Sequence, residues 1–283
     1  FRGYSTSYKE WNMVPIDRPP VNHAVGISTP ERYLTDTLGM ASVSDFDVMD
    51  WLTVSEQVLL EVTSGELFRD DLLFANSRAQ LSFYPDDLRL YLITVEWTRI
   101  ADEQAFPGRA GARGDEAGSL ITLARLTEHV MRICFYLERR YPPYSKWFGT
   151  AFQQLKCSPD TYGLISRMLT MSGWSERDRL WGELLRRLIT IHEQADILPQ
   201  GKYAPAPVCR GRPGTGLPAF ARGGPPAMPD LIGDIRSQIA DPEVLSLPER
   251  RGSINQHAAC RDIEDERQTT FLESEKSCTD SGD

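Results

Sequence analysis

Apolar residues recur at three- and four-residue steps over most of the chain as far as residue 197. That spacing lays them along one side of an α-helix. Pro30-Glu31-Arg32 opens a short helix with proline in its first turn and Gly39 as the C-cap. Asp47–Thr63 predicts a second, because Trp51, Leu52, Val54, Val58, Leu59 and Val62 fall at helical steps. Ala75–Phe83 predicts a third. Tyr84-Pro85-Asp86-Asp87 opens a fourth, with carboxylates where the helix dipole favours them, and this helix carries Leu88 through Ile100. The glycine-rich stretch Phe106–Gly114 reads as a loop. Asp115–Arg140 is the longest helix and is apolar on most of its circumference, which places it in the middle of a bundle. Trp147–Leu155, Asp160–Met171 and Glu176–Ile197 follow as helices.

Outside this region the pattern changes. Residues 1–29 are aromatic and proline-rich, with a strand-like alternation over Val21–Ser28. Pro199–Pro229 is rich in Gly, Pro and Ala without a period and is expected to be disordered. Asp230–Ile239 predicts one more short helix, and 257–283 reads as a polar, acidic, disordered tail. The expected architecture is all-α: a bundle of about seven or eight helices over residues 30–198, a linker over 199–229 and a short helical extension over 230–256.

Composition adds limits. Apolar content of 41% and charged content of 25% are those of a globular protein. The net charge is −9, and residues 261–283 hold eight acids against three bases, so the body is nearly balanced. No nucleic-acid surface is implied, and no apolar run approaches the length of a bilayer span. The chain begins at Phe1 and is expected to start inside a longer reading frame. Five scattered cysteines without a C-x-x-C pair argue for a reducing, cytoplasmic setting and against a disulfide framework or a zinc site, and Cys134 reads as a core residue.

Several clusters offer chemistry. In Tyr141-Pro142-Pro143-Tyr144-Ser145-Lys146-Trp147, Lys146 has the chemistry to bind a phosphate between the walls of Tyr144 and Trp147; the alternative is a rigid corner with Lys146 outward. Glu103, Arg109 and Asp115 flank the glycine-rich stretch, as the rim of a polar cleft or as an Arg109–Asp115 ion pair. Arg125, Glu128 and Arg132 share a helical ridge, either solvent-facing or lining a cavity, with His129 beside it. Arg187 and His192 have the R-x4-H spacing of HEPN-type ribonuclease bundles, with His192 as acid or base and Arg187 on the phosphorane. Asp45-Phe46-Asp47 has the spacing of a metal-holding Asp pair but sits at a helix start and reads as helix-capping acid.

Beyond these clusters, the runs Phe1-Arg2-Gly3-Tyr4, Pro20-Val21-Asn22-His23, Asp50-Trp51-Leu52, Glu56-Gln57, Leu59–Gly65, Tyr84–Asp87, Gly114-Asp115-Glu116 and Tyr141–Phe152 are similar to one family. The chain resembles an uncharacterised helical domain of unknown function that follows polymerase-β-type nucleotidyltransferase domains. The resemblance implies that residues 1–29 are the remnant of a truncated α/β nucleotidyltransferase domain. It also implies that the helices form an accessory module that shapes the site for a nucleotide or small-molecule substrate. A Gly-Ser turn and an Asp-x-Asp pair would hold Mg²⁺ and a nucleoside triphosphate upstream, and Gly26 stands where the family tends to place a glutamate. No metal or transferase activity is expected of this chain alone. A non-catalytic protein-interaction module and the HEPN-type nuclease are the alternatives.

Overall fold

The computed structural model describes residues 26–203 and 228–256. The strand-like stretch before Gly26, most of the Pro/Gly-rich linker and the acidic tail lie outside the described residues, as does the side chain of Asp45. The chain divides into two compact units, residues 1–43 and 44–283. In the first, α1 (Pro30–Leu38) starts at Thr29, whose hydroxyl accepts from the N–H of Arg32, and stops at Gly39, held at φ 79° where a side chain would be strained.

All regular structure among the described residues is helical, as the periodicity implies. In the second unit, Asp47 caps α2 (Val48–Thr53) and exchanges side-chain-to-backbone bonds with Asp50, a reciprocal box that confirms its capping role. The single helix expected over 47–63 is instead two, α2 and α3 (Glu56–Thr63), joined through extended backbone at Val54 and Ser55. A straight helix would present one buried stripe; the bend allows Trp51, Leu52, Val54, Leu59 and Val62 all to be buried.

Next come α4 (Phe74–Gln80), α5 (Asp86–Glu103) and α6 (Phe106–Gly111). The last corrects the expected loop. Pro107 fits the first turn of a helix, and Gly111 lies against Trp174 where a Cβ would collide. Glycine there serves close packing rather than chain freedom.

The remainder of the bundle is α7 (Glu116–Leu137), α8 (Ser145–Phe152), α9 (Ser158–Thr170), α10 (Trp174–Gln194), α11 (Met228–Arg236) and α12 (Pro242–Ser246). α5 and α7 lie side by side, α6, α9 and α10 contact α7, and α11 rests on α5. Every residue of α5 from Leu90 to Trp97 is buried. By contrast, α7 is enclosed from Val130 to Tyr136, whereas Ile121 in its first half is exposed, so α5 is more central than the longest helix.

Residues 228–256 are built into the bundle. Leu231 and Ile235 are buried, and Asp87 Oδ2 accepts from the N–H groups of Ala240 and Asp241 at 3.0 and 2.7 Å. Among the described residues no helix is long and apolar enough to cross a membrane.

Candidate functional site

One face of α7 repeats at helical steps through Ala124, Thr127, Glu128, Met131 and Arg132. It borders a cleft of about 270 Å³ that is closed by Glu56 and Gln57 of α3, Pro142 to Ser145, Phe148 of α8, Leu169 of α9 and Asn255.

The floor is a buried charge network. Arg132, 8% exposed, donates from Nη1 to Glu56 Oε2 at 3.0 Å and from Nε and Nη2 to Glu128 Oε1 at 3.3 and 3.2 Å. Its guanidinium also lies 5.6 Å from the centre of the Phe148 ring. Burial opposes the Arg132 charge, but the negative field of Glu56, with those of Glu96 and Glu128 behind it, outweighs it and raises the pKa. Glu56 Oε1 accepts from the Tyr136 hydroxyl at 2.8 Å and from that of Tyr84 at 3.4 Å. Burial first, and the Glu56 charge second, push both phenols well up, so they act as donors.

Beside this network Glu96 is fully enclosed, with Oε2 2.5 Å from His129 Nδ1 and Oε1 accepting from Gln256 at 2.7 Å. Burial works against its charge, yet the His129 hydrogen bond and the nearby cations prevail and lower its pKa. His129 is thus a bonded helix residue.

Asn255 is the most informative wall. Its Oδ1 accepts from the backbone N–H of Glu56 at 3.0 Å, supplying a partner to a first-turn donor of α3 that has none within its helix. A backbone N–H can be met only by the amide oxygen, so the orientation of the side chain follows. Nδ2 then remains buried without a hydrogen-bond partner.

The sequence candidates are only partly brought together here. Tyr144 lines the cleft, and its N–H donates to Gln57 Oε1 at 3.1 Å. Lys146 and Trp147 are exposed and are not among the cleft residues, with Lys146 Nζ 5.4 Å over the Trp147 ring. Glu103 accepts from Arg125 Nε at 3.0 Å, away from the cleft lining. Arg109 is exposed on α6, and Asp115 caps α7 by accepting from Gly118 N–H at 2.8 Å; among the described residues no ion pair joins the two. The ridge on α7 is therefore divided, Arg125 facing outward and Arg132 lying beneath the cleft.

Arg187 donates to the Asp160 carbonyl at 2.7 Å and to Glu183. His192 is fully buried; its Nδ1–H bonds the Leu188 carbonyl at 2.9 Å and its Nε2 accepts from Trp97 Nε1 at 3.1 Å. Both ring nitrogens are occupied by the fold, and the polar atoms of the two residues face different partners.

The family model described as "Domain of unknown function (DUF4037)" matches residues 51–148. No curated protein and no solved structure matches the chain. The matched stretch contains every cleft residue except Leu169 and Asn255.

Proposed function

We propose that the helical unit is a substrate-holding module in which the α3–α7–α8 cleft receives a small molecule, as the accessory part of a nucleotidyltransferase-like protein. The observation that carries the reading is the cleft itself, about 270 Å³, walled by Met131, Pro142, Pro143, Phe148 and Leu169 and lined by the charged Glu56, Glu128 and Arg132. Concave shape, apolar walls and a few convergent polar groups are the features of small-molecule sites. The nucleoside triphosphate and Mg²⁺ would belong to a catalytic domain with its own Gly-Ser and Asp-x-Asp, and this chain would not transfer nucleotides by itself. Two buried free thiols, Cys134 and Cys157, support a reducing, cytoplasmic location.

A thermal-shift screen of the purified chain tests the reading, with neutral, cationic and anionic small molecules and ATP with Mg²⁺ among them. Some compounds should raise Tm saturably, as ligands that bind only the folded state do, and Phe148→Ala should blunt the response. If none shifts Tm at millimolar concentration, the reading is wrong.

A second reading, a protein-interaction module, draws on the apolar segment before α4, where Phe68 is 92% exposed and Leu72 68%. Phe68→Ser should then release a co-purifying partner; retention of every partner by that variant would count against it.

A further inference from the structure

A second groove, of about 290 Å³, shares Pro143 with the cleft and is otherwise lined by different residues. Its size is at the small end of ligand sites, which begin near about 300 Å³. The charged residues of its lining are Arg78 of α4 and, just beyond the end of α7, Arg139 and Arg140. Among the described residues no carboxylate lines it.

The protein answers these charges only in part. Arg78 Nη2 donates to the carbonyls of Thr63, Ser64 and Gly65, the last at 2.9 Å, at the end of α3. Arg140 Nη1 donates to the Gln154 carbonyl at 3.2 Å. Among the described residues neither of the two has an ion pair. Arg139 pairs with Asp86, but that carboxylate is shared with Arg89 at 3.1 Å. Burial, and after it the Arg139 charge, lower the Arg89 pKa, so the field there is positive. Glu138, next in sequence to Arg139, is engaged elsewhere, by the N–H groups of Lys156 and Cys157 at 2.8 and 2.9 Å. The carbonyl ends of α3 and α7 offset about half a charge each. Positive charge therefore remains in excess.

Arg139 also stands where glycine is expected. Its N–H bonds the Tyr136 carbonyl at 3.3 Å, and that of Arg140 the Phe135 carbonyl at 3.0 Å. This is the paired ending of a helix whose turning residue is left-handed. At φ 53° an arginine is held there at a cost that glycine would avoid. Its side chain is 49% exposed, within reach of a solute.

We propose that this groove binds a small phosphomonoester, with the phosphoryl group between Arg78, Arg139 and Arg140 and the organic part over the half-buried Leu60 and Ala151. At neutral pH such an ester carries about −1.5 to −2 charge and three acceptor oxygens, against the single charge and two oxygens of a carboxylate. Guanidinium groups meet phosphoryl oxygens through paired N–H donors.

The test is calorimetric titration of the full chain at neutral pH and low salt with phenyl phosphate, and with benzoate and inorganic phosphate beside it. Phenyl phosphate should bind saturably, benzoate about tenfold more weakly or less, and added salt should weaken the ester. Arg140→Gln and Arg139→Gly should each weaken it by about tenfold, the scale of one charge-assisted hydrogen bond. Glycine takes the left-handed backbone without strain, so Arg139→Gly keeps the fold and its lost affinity reports the missing guanidinium. Phe148→Ala should leave the affinity unchanged, because Phe148 lines only the first cleft. The site is overturned if phenyl phosphate gives no saturable heat at millimolar concentration, if benzoate binds as tightly, or if both arginine variants keep wild-type affinity. A loss confined to Phe148→Ala would move the ester to the first cleft and overturn it as well. Inorganic phosphate as tight as the ester would make free phosphate the occupant and overturn the ester.

Discussion

The backbone N–H of Glu56 donates to Asn255 Oδ1 at 3.0 Å across 199 positions of sequence. The start of α3 is therefore completed by a side chain from the far end of the described chain, and the same contact fixes which way the amide is turned.

Asn255→Leu should destabilise the protein by about 1–3 kcal/mol, because it orphans a buried N–H. Asn255→Asp, which retains an acceptor oxygen, should leave that N–H satisfied. Urea denaturation of the two variants checks this through the midpoint, and equal midpoints for Asn255→Leu and wild type would refute it.

Arg132→Met should cost about 3–5 kcal/mol, since it strands the buried Glu56 carboxylate. Adding Glu56→Gln to it should recover part of that loss. A double-mutant cycle by chemical denaturation measures the coupling, and strict additivity would mean that the pair does not interact as the geometry implies.

Stability should fall as the medium is acidified. Burial lowers the His192 pKa from 6.5 to about 4. Above the unfolded value neither state binds the proton and nothing is lost. Between the two values the unfolded chain takes up a proton that the folded imidazole refuses, so folding weakens by about 2 kcal/mol at pH 5 relative to pH 7. Glu96, lowered below the ordinary carboxylate range, adds a further loss as pH falls below its unfolded value and through its folded one. Denaturation midpoints at the two pH values test this, and His192→Gln should flatten the slope between them.

Lys146→Ala should leave any cleft ligand's affinity unchanged, because Lys146 stands outside the lining over Trp147. Phe148→Ala, on the cleft wall, should weaken it several-fold. Titration of one ligand against both variants decides the matter; a loss with Lys146→Ala would restore the lysine to the site.

Much of the helical plan is legible without coordinates. The periods over α5, α7 and α10 are long enough to identify each helix, and Asp47 and Gly39 mark helix ends by their own conformational chemistry. The break at Val54-Ser55 and the helix at Phe106–Gly111 are not legible, since apolar residues at helical steps do not reveal a bend and a glycine packed against Trp174, Gly111, resembles a glycine of a loop. The run at Tyr141–Phe148 borders the cleft, yet Tyr144 lines it and Lys146 does not.

Sequence by itself determines the helices, their caps and the apolar faces, because these depend on residues within a few turns of one another. The cleft is a decision of the tertiary structure. Glu56, Arg132 and Asn255 lie on separate segments, and the local period of each is equally compatible with solvent. Only packing removes them from water, and in that setting each charge must find an opposite and each amide a partner. The cleft and its charge network arise from that obligation.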